Sequence, residues 1–355
     1  MMERRYSFGA DNSYHYEEHR PILIENYRRS FLGRVRTLSN IQRLEWYFIL
    51  FSFAIISIGF FFTVARMVSL NFRSDQFLVC ILVVINLTFS TYYLVHGILQ
   101  EQPFEILAYI FTTLIIAVFV TINFVSVDVD DYVLRVMRFM ITIILSLPNI
   151  VLAVKIGRGY WQSGTFIFKT VGGDRRLQRI CRIYLFGQSL LIFDMQAMLS
   201  CAIIVIQDGF SGMTNEQTYM FITGIIFAFI WLFVGYAAMR TENTPVTWVF
   251  AVISIVQPLY VIYLIVQGLD QIDKQFNIRT NSAYFIGFVL LGSHFTLLAF
   301  LPIIKTNYGK GLKEIIYGVE PSSPVDFRRN IVIVPSRVHV HHHHHHHEIL
   351  PADGE

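Results

Sequence analysis

The chain has 355 residues, of which 54% are hydrophobic, 15% aromatic and only 15% charged, and its mean hydropathy is +0.51. Soluble domains carry about 25% charged residues and rarely expose large apolar patches, so this composition excludes an ordinary globular enzyme and a disordered chain. The three cysteines have no spacing typical of a disulfide scaffold. The composition therefore predicts a multi-pass integral membrane protein.

Eight apolar runs are long enough to cross a bilayer, which takes about 20 residues each. They cover residues 46–67, 77–99, 104–126, 136–154, 183–206, 218–239, 246–267 and 283–304. The predicted fold is an all-α polytopic membrane bundle of eight transmembrane helices over residues 46–304. Seven helices are the alternative, if one run lies in the membrane interface.

The distribution of Lys and Arg predicts the orientation of the bundle. If the N-terminus is cytoplasmic, 22 of the 28 Lys and Arg residues fall on the cytoplasmic side, in the two tails, loop 155–182 and Arg240. The opposite loops carry acidic residues instead. We therefore expect both termini in the cytoplasm and a basic cytoplasmic loop at 155–182. The sequence does not distinguish the plasma membrane from an internal membrane.

The two tails carry distinct patterns. In the cytoplasmic N-tail, residues 1–45, apolar residues repeat at helical spacing over 22–45 with arginines between them, which predicts an amphipathic juxtamembrane helix. This helix would lie in the lipid headgroup layer or pack beneath the bundle. The C-tail, 305–355, is polar and predicted to be mostly disordered, and it contains an unbroken run from His341 to His347. That run is typical of a low-complexity or tag segment, with weak metal binding as the alternative.

Asp194 is the one formally charged residue near the middle of a predicted span, roughly 15 Å deep when counted from Tyr184. Such residues usually face the bundle interior and mark ion or proton paths. Gln188 and Gln196 lie on the same span, and His294, near the centre of the last span, is the candidate partner. These four residues form the candidate intramembrane site. The alternative is a hydrogen-bonded lock between helices.

Proline interrupts two of the predicted spans. Pro148 precedes Asn149, and Pro258 follows Gln257. A proline inside a helix leaves a backbone carbonyl without its usual donor and kinks the helix. These carbonyls and the neighbouring amides are predicted to line a cavity, or else to mark kinks in an inert bundle.

Arginines also form a stripe at the start of the fifth span, at positions i, i+1, i+4 and i+7: Arg175, Arg176, Arg179 and Arg182. A helix with this stripe is expected to contact phosphate groups of anionic lipids. Topogenic positive charge is the other interpretation. Nucleic acid is not an expected partner, because the basic stretches flank membrane spans.

Catalytic signatures are absent from the sequence: there is no P-loop, GxSxG elbow, HExxH motif or Rossmann fingerprint. We therefore predict that the protein is not an enzyme, and that it has neither a cofactor nor a metal site.

Two stretches carry a resemblance. The first runs from Lys169 through Gly173-Asp174 to the Phe193-Asp194 pair, and the second from Asn307 to Lys313. They resemble a family of multi-pass membrane proteins from fungi and animals, with a Gly-x-Asp basic loop, a Phe-Asp span and a closing Phe-Gly-Lys-Gly-Leu-Lys-like segment. Tyr308 replaces the Phe of that segment. The resemblance implies a multi-helix bundle and no particular activity.

Three functions remain open from the sequence. The first is a pathway for a small solute, an ion or protons, lined by the candidate intramembrane site. The second is a receptor-like or lipid-sensing membrane protein, and the third is an interaction scaffold without transport.

Overall fold

A computed structural model describes residues 27–30, 33–36, 38–70, 75–126, 132–204, 215–269 and 278–317. The His run, the predicted disordered tail beyond residue 317 and the first 26 residues lie outside these ranges. The chain forms two units, 1–318 and 319–355, and every described residue belongs to the first.

The described elements are almost entirely helical, in keeping with the predicted all-α class. In chain order, the helices are α1 (Arg43–Ser69), α2 (Asp75–Leu99), α3 (Pro103–Ser126), α4 (Tyr132–Ser163), α5 (Thr165–Val171), α6 (Arg175–Ile204), α7 (Asn215–Thr241), α8 (Thr244–Ser254), α9 (Val256–Leu269), α10 (Ile278–Lys305) and α11 (Leu312–Tyr317).

Among the described residues, eight helical segments are long and apolar enough to cross a membrane, as predicted, and the seven-span alternative is not needed. Helix α6 supplies the most deeply buried of the eight and contacts α10, α7, α2, α3 and α5. It is also the least hydrophobic span, with a mean hydropathy of 1.3. The polar side chains of α6 can be accommodated because they face other helices rather than lipid.

The N-terminal side of the bundle differs from the prediction of a continuous helix over 22–45. Strands β1 (Tyr27–Ser30) and β2 (Gly33–Arg36) form an antiparallel hairpin in which Ser30 pairs with Gly33. A helix begins only at Arg43. Glycine is a poor helix former, and Arg36 is held by two carboxylates of the bundle, so the local apolar spacing does not determine the structure here. Residues 22–26 lie outside the described ranges.

The predicted basic loop 155–182 is largely helical. Helix α4 continues to Ser163, α5 follows after Gly164, and α6 begins at Arg175. Gly164 has φ of 53°, a left-handed conformation that glycine adopts without steric cost, and it separates α4 from α5. The basic residues of this region are therefore fixed on helices close to the membrane.

The seventh span is broken. Helix α8 ends at Ser254, and α9 begins at Val256. Pro258 causes this interruption, because its ring nitrogen cannot donate to the carbonyl four residues earlier. In contrast, α4 continues through Pro148 without a break in its assignment.

A close helix approach fixes α7 against its neighbours. A Cβ atom added at Gly235 would lie 2.6 Å from Phe250 Cε2 and 2.8 Å from Leu191 Cδ1. Only glycine fits between α6 and α8 at this position. Phe250 and Leu191 are both fully buried, so this contact belongs to the centre of the bundle.

Candidate functional site

Asp194 and His294 form a buried pair between α6 and α10. Oδ2 of Asp194 lies 2.7 Å from Nδ1 of His294, and neither side chain has exposed surface. The eighth span runs from Ser282 to Lys305, which places His294 close to its midpoint. The structure thus brings together the two ionisable residues of the predicted intramembrane site at mid-depth.

The broken span supplies the second contact of His294. Nε2 lies 2.8 Å from the backbone carbonyl oxygen of Ser254. In a continuous helix this carbonyl would accept the N–H of residue 258, but residue 258 is proline. The carbonyl is therefore available, and since it can only accept, Nε2 must carry a hydrogen. Pro258 thus determines the tautomer of His294, because it leaves the Ser254 carbonyl free to accept the Nε2 hydrogen.

The surroundings of Asp194 determine how many protons the pair holds. Ser293 Oγ donates to Oδ1 at 2.6 Å, and Gln257 Nε2 donates to Oδ2 at 3.2 Å. The short contact between Oδ2 and Nδ1 of His294 requires one further proton, since two lone pairs would otherwise face each other. This proton lies between the carboxyl group of Asp194 and the imidazole of His294. With that proton present, the pair has no net charge.

Buried groups enclose the pair. Trp231 Nε1 donates to Ser254 Oγ at 2.8 Å, and the Trp231 ring centroid lies 5.8 Å from that of His294. Among the described residues, no second acid or base contacts Asp194 or His294. A described intramembrane cavity of about 60 Å³ lies among α1 to α4, next to Asn149 and Arg138, and does not reach the pair. Within the part of the chain that the structure describes, both side chains of the pair are fully buried.

Gln196 belongs to a different network. Two residues correspond to about 200° around a helix, so Gln196 faces away from Asp194. Its Nε2 donates to Asn86 Oδ1 at 2.5 Å, and its Oε1 accepts from Tyr93 at 3.0 Å and from Thr112 at 3.2 Å. Gln196 therefore joins α6 to α2 and α3 rather than lining a site with His294.

Gln188 is buried on α6, but it forms no described hydrogen bond with Asp194 or His294. Six residues separate it from Asp194, which is about 120° around the helix and about 9 Å along it. Of the four predicted residues, the structure thus joins Asp194 and His294 and leaves Gln188 and Gln196 outside this pair.

A second buried acid lies at one end of the bundle and was not among the predicted residues. Glu105 has no exposed surface, and its Oε1 lies 3.5 Å from His96 Nδ1 and accepts from Ser189 at 3.1 Å. Gln102 Nε2 donates to Ser189 Oγ at 3.1 Å. The sequence signal was a lone carboxylate in the first turn of an apolar run. Because Glu105 lies near the start of a helix, its sequence position suggests an exposed side chain rather than a buried one.

A third charged group fixes the hairpin to the bundle. Arg36 donates to Glu45 Oε2 at 2.6 Å and to Glu101 Oε1 at 2.8 Å, and all three side chains are buried. Tyr160 donates to Glu45 Oε1 at 2.6 Å. Burial alone would lower the pKa of Arg36, but the hydrogen bond to Glu45 and the charges of Glu45 and Glu101 raise it above its ordinary value. The guanidinium is therefore permanently charged.

The predicted basic stripe divides in the structure. Arg175, Arg176 and Arg179 line a pocket of about 390 Å³, together with Lys310 from the segment after α10. Arg182 lies less than one turn beyond Arg179 on α6 and stacks on Trp161, with its guanidinium carbon 5.0 Å from the ring centroid. Three of the four arginines thus share one surface, which we call the basic pocket.

The comparisons with known proteins identify a family whose function is unknown. A family model described as a domain of unknown function, DUF7789, matches residues 32–157 and 171–304. The match covers most of the chain, which therefore belongs to this family, and it includes Asp194 and His294. No curated protein and no solved structure is significantly similar to the chain.

Proposed function

We propose that this multi-pass membrane protein moves protons across its membrane, and that Asp194 and His294 bind the proton. The observation that carries the proposal is the 2.7 Å contact between these two side chains at mid-depth. Ionisable residues inside membrane spans are costly and usually serve ion or proton paths.

The charge of the pair explains why a proton is the expected cargo. With one proton between Asp194 and His294, the pair is neutral and can remain in a low-dielectric interior. Loss of that proton leaves a net charge of minus one, which is strongly disfavoured there. Release must therefore be accompanied by access to water or by arrival of a cation. Gln257 Oε1, buried without a described partner, is an acceptor that an entering water could use.

The broken span offers a means of access. Ser254 and Gln257 flank the break between α8 and α9, and both contact the pair. Discontinuous helices at the membrane midplane form ion sites in transporters, where rigid-body movement exposes the site to each side in turn. In this proposal, α9 moves relative to α10 about the break, and the present arrangement is the closed state.

The experiment is proton flux in liposomes. Purified protein is reconstituted with a pH-sensitive dye inside the vesicles, and a potassium gradient with valinomycin drives protons inward. The wild-type protein is expected to acidify the lumen faster than protein-free vesicles do. Asp194→Asn should abolish this flux, because an amide can donate to neutral His294 but cannot share an exchangeable proton.

The matched control is Ser200→Ala, on the same helix and equally buried, where the hydroxyl contacts only the Asn86 network at 3.3 Å. This variant should retain the flux. Equal flux in wild-type and Asp194→Asn vesicles would overturn the assignment of the pair, and a wild-type protein without flux would overturn proton movement itself. Thermal unfolding of each purified sample excludes misfolding as the cause.

The proposal includes an orientation with both termini in the cytoplasm, supported by the Lys and Arg distribution. Epitope tags at residue 1 and residue 355 should be reached by antibodies only after cell permeabilisation. For protein in an internal membrane, protease protection in sealed vesicles gives the same information. Labelling of either tag on intact cells would contradict this orientation.

A further inference from the structure

The basic pocket combines residues that are far apart in sequence. Arg175, Arg176 and Arg179 come from the first two turns of α6, whereas Asn307 and Lys310 come from the segment after α10. The pocket volume of about 390 Å³ lies within the range of small-molecule sites, which is roughly 300–1,000 Å³. Four cationic side chains therefore surround one cavity.

The backbone after α10 is shaped to bring Lys310 to this cavity. Gly309 and Gly311 have φ of 69° and 89°, and these left-handed conformations let the chain turn back toward α6. The Gly309 N–H donates to Glu242 Oε2 at 2.6 Å, and Leu312 is buried, so the turn is anchored on both sides. Lys310 Nζ lies 2.6 Å from Asn307 Oδ1, within the same pocket.

The arginines of the pocket are not neutralised. Among the described residues, Arg175, Arg176 and Arg179 form no ion pair. Two acidic residues described in this region accept backbone N–H groups: Asp174 caps α6 by accepting the N–H of Arg176 at 2.8 Å, and Glu242 accepts the N–H of Gly309 at 2.6 Å. Such a group of unpaired cations suits an anion with several charged oxygens.

The pocket also has an apolar wall and lies at the membrane edge. Ile180 and Ile183 line it next to the arginines. The membrane-length segment of α6 begins at Arg175, and that of α10 ends at Lys305, so the pocket lies at the ends of both, where we expect lipid headgroups. A lipid presents a phosphate and an adjoining apolar chain in this same order, which a free phosphate does not.

We propose that the basic pocket binds a phosphomonoester group, and that its source is the headgroup of an anionic lipid such as phosphatidic acid. Arg175, Arg176, Arg179 and Lys310 contact the phosphate oxygens, and Ile180 and Ile183 contact the first carbons of the acyl chains. This site is independent of Asp194 and His294 and of the proton movement proposed above.

Binding of dioctanoyl phosphatidic acid to the detergent-purified full chain tests the site, measured by titration calorimetry. Inorganic phosphate and dioctanoyl phosphatidylcholine are the comparison probes. We expect phosphatidic acid to bind at least tenfold more tightly than either. Each lipid-facing cation is worth about fivefold in affinity, so the triple variant R175Q/R176Q/R179Q should lose on the order of 100-fold.

Arg182→Gln is the matched control for the single pocket variant Lys310→Met, because it also removes one positive charge but does so outside the pocket. It should change affinity by less than about threefold, and Lys310→Met should lose about fivefold. The three pocket arginines are exposed, so the triple variant should unfold at the wild-type temperature. An equal loss in Arg182→Gln would indicate general charge attraction and overturn the site. Equally tight inorganic phosphate would overturn the lipid as its source.

Discussion

His294 Nε2 and the carbonyl oxygen of Ser254 lie 2.8 Å apart, and this contact exists because Pro258 leaves the carbonyl without a helical donor. The imidazole is thereby held in one orientation by the backbone of α8. Its other nitrogen faces Asp194 as a consequence. The Ser254 carbonyl, His294 and Asp194, from three spans, are thus linked by consecutive hydrogen bonds.

These hydrogen bonds predict that substitutions of Asp194 and of His294 have different effects on stability. His294→Ala leaves the buried carboxylate of Asp194 without its charge partner, which should lower the free energy of unfolding by about 3–5 kcal/mol. Asp194→Asn keeps a donor toward Nδ1 and introduces no unpaired charge. Its cost should be below about 1.5 kcal/mol, the worth of one neutral hydrogen bond. Thermal or denaturant unfolding in detergent measures both.

The double variant Asp194→Asn/His294→Ala serves as the control for that difference. With the carboxylate absent, loss of the imidazole should cost less than it does in the wild-type background, so the two changes are not additive. Additive costs would mean that the side chains stabilise the bundle independently.

The sequence was sufficient to predict the spans, because each helix must present about 20 apolar residues to lipid. It also identified Asp194 and His294 as unusual at their depth. It did not predict their contact, since no local pattern relates α6 to α10. Even so, Pro258 offered a usable signal, because the residue four positions earlier, Ser254, must lose its helical donor.

Long-range contacts also explain where the sequence misled. The apolar spacing over 22–45 favours a helix, but Arg36 pairs with Glu101, which is 65 residues away. Likewise, Arg182 fits the basic stripe by its helical position, but its guanidinium group stacks on the ring of Trp161 of α4 instead of lining the pocket. The two stretches around Asp174 and Lys310 resembled one family, and the fold places both of them at the basic pocket.

Gly235 should tolerate no side chain. Gly235→Ala places a methyl group 2.6 Å from Phe250 and 2.8 Å from Leu191, so helices must shift, at a cost of about 1–3 kcal/mol. Gly159→Ala, at a helical position of α4 with no atom within 4 Å of the added carbon, should instead be stabilising by about 0.5–1 kcal/mol. Unfolding temperatures of the two variants are compared in the same detergent. A stabilised Gly235→Ala variant would contradict the close packing of α6, α7 and α8.

Arg36 should anchor the hairpin to the bundle at every ordinary pH. Arg36→Met removes the cation that the buried Glu45 and Glu101 share, and it should cost about 3–5 kcal/mol. The raised pKa of Arg36 means that its contribution is complete below the ordinary value of 12.5 and is lost only above it. The deficit of the variant should therefore be constant between pH 7 and pH 10.

Arg43→Met, an exposed arginine at the start of α1, is the control for charge removal and should change stability by less than about 0.5 kcal/mol. Equal effects of the two variants would show that the buried ion pairs do not hold the hairpin.

Tyr308 should stabilise the junction between α7, α8 and α10 through its hydroxyl group. The hydroxyl donates to the Ala238 carbonyl at 3.2 Å and lies 3.0 Å from Thr247 Oγ1. Burial raises the pKa of Tyr308, the hydrogen bond with Thr247 lowers it and the charge of Glu242 raises it, with a net increase above the ordinary 10.0. The hydroxyl is therefore protonated below pH 10, and its contribution is lost only as the pH rises through the higher folded value.

Tyr308→Phe keeps the aromatic ring and removes only the hydroxyl group. Phenylalanine is also the residue at this position in the motif that the segment resembles. The loss should be about 0.5–1.5 kcal/mol at pH 7. Tyr219→Phe, at a side chain that is 71% exposed, should be neutral by the same unfolding measurement. Because the hydroxyl bonds Ala238 and Thr247 rather than the basic pocket, Tyr308→Phe should also leave phosphatidic acid binding within about twofold of wild type. A variant as stable as Tyr219→Phe would mean that the ring alone, and not its hydrogen bonds, holds this junction.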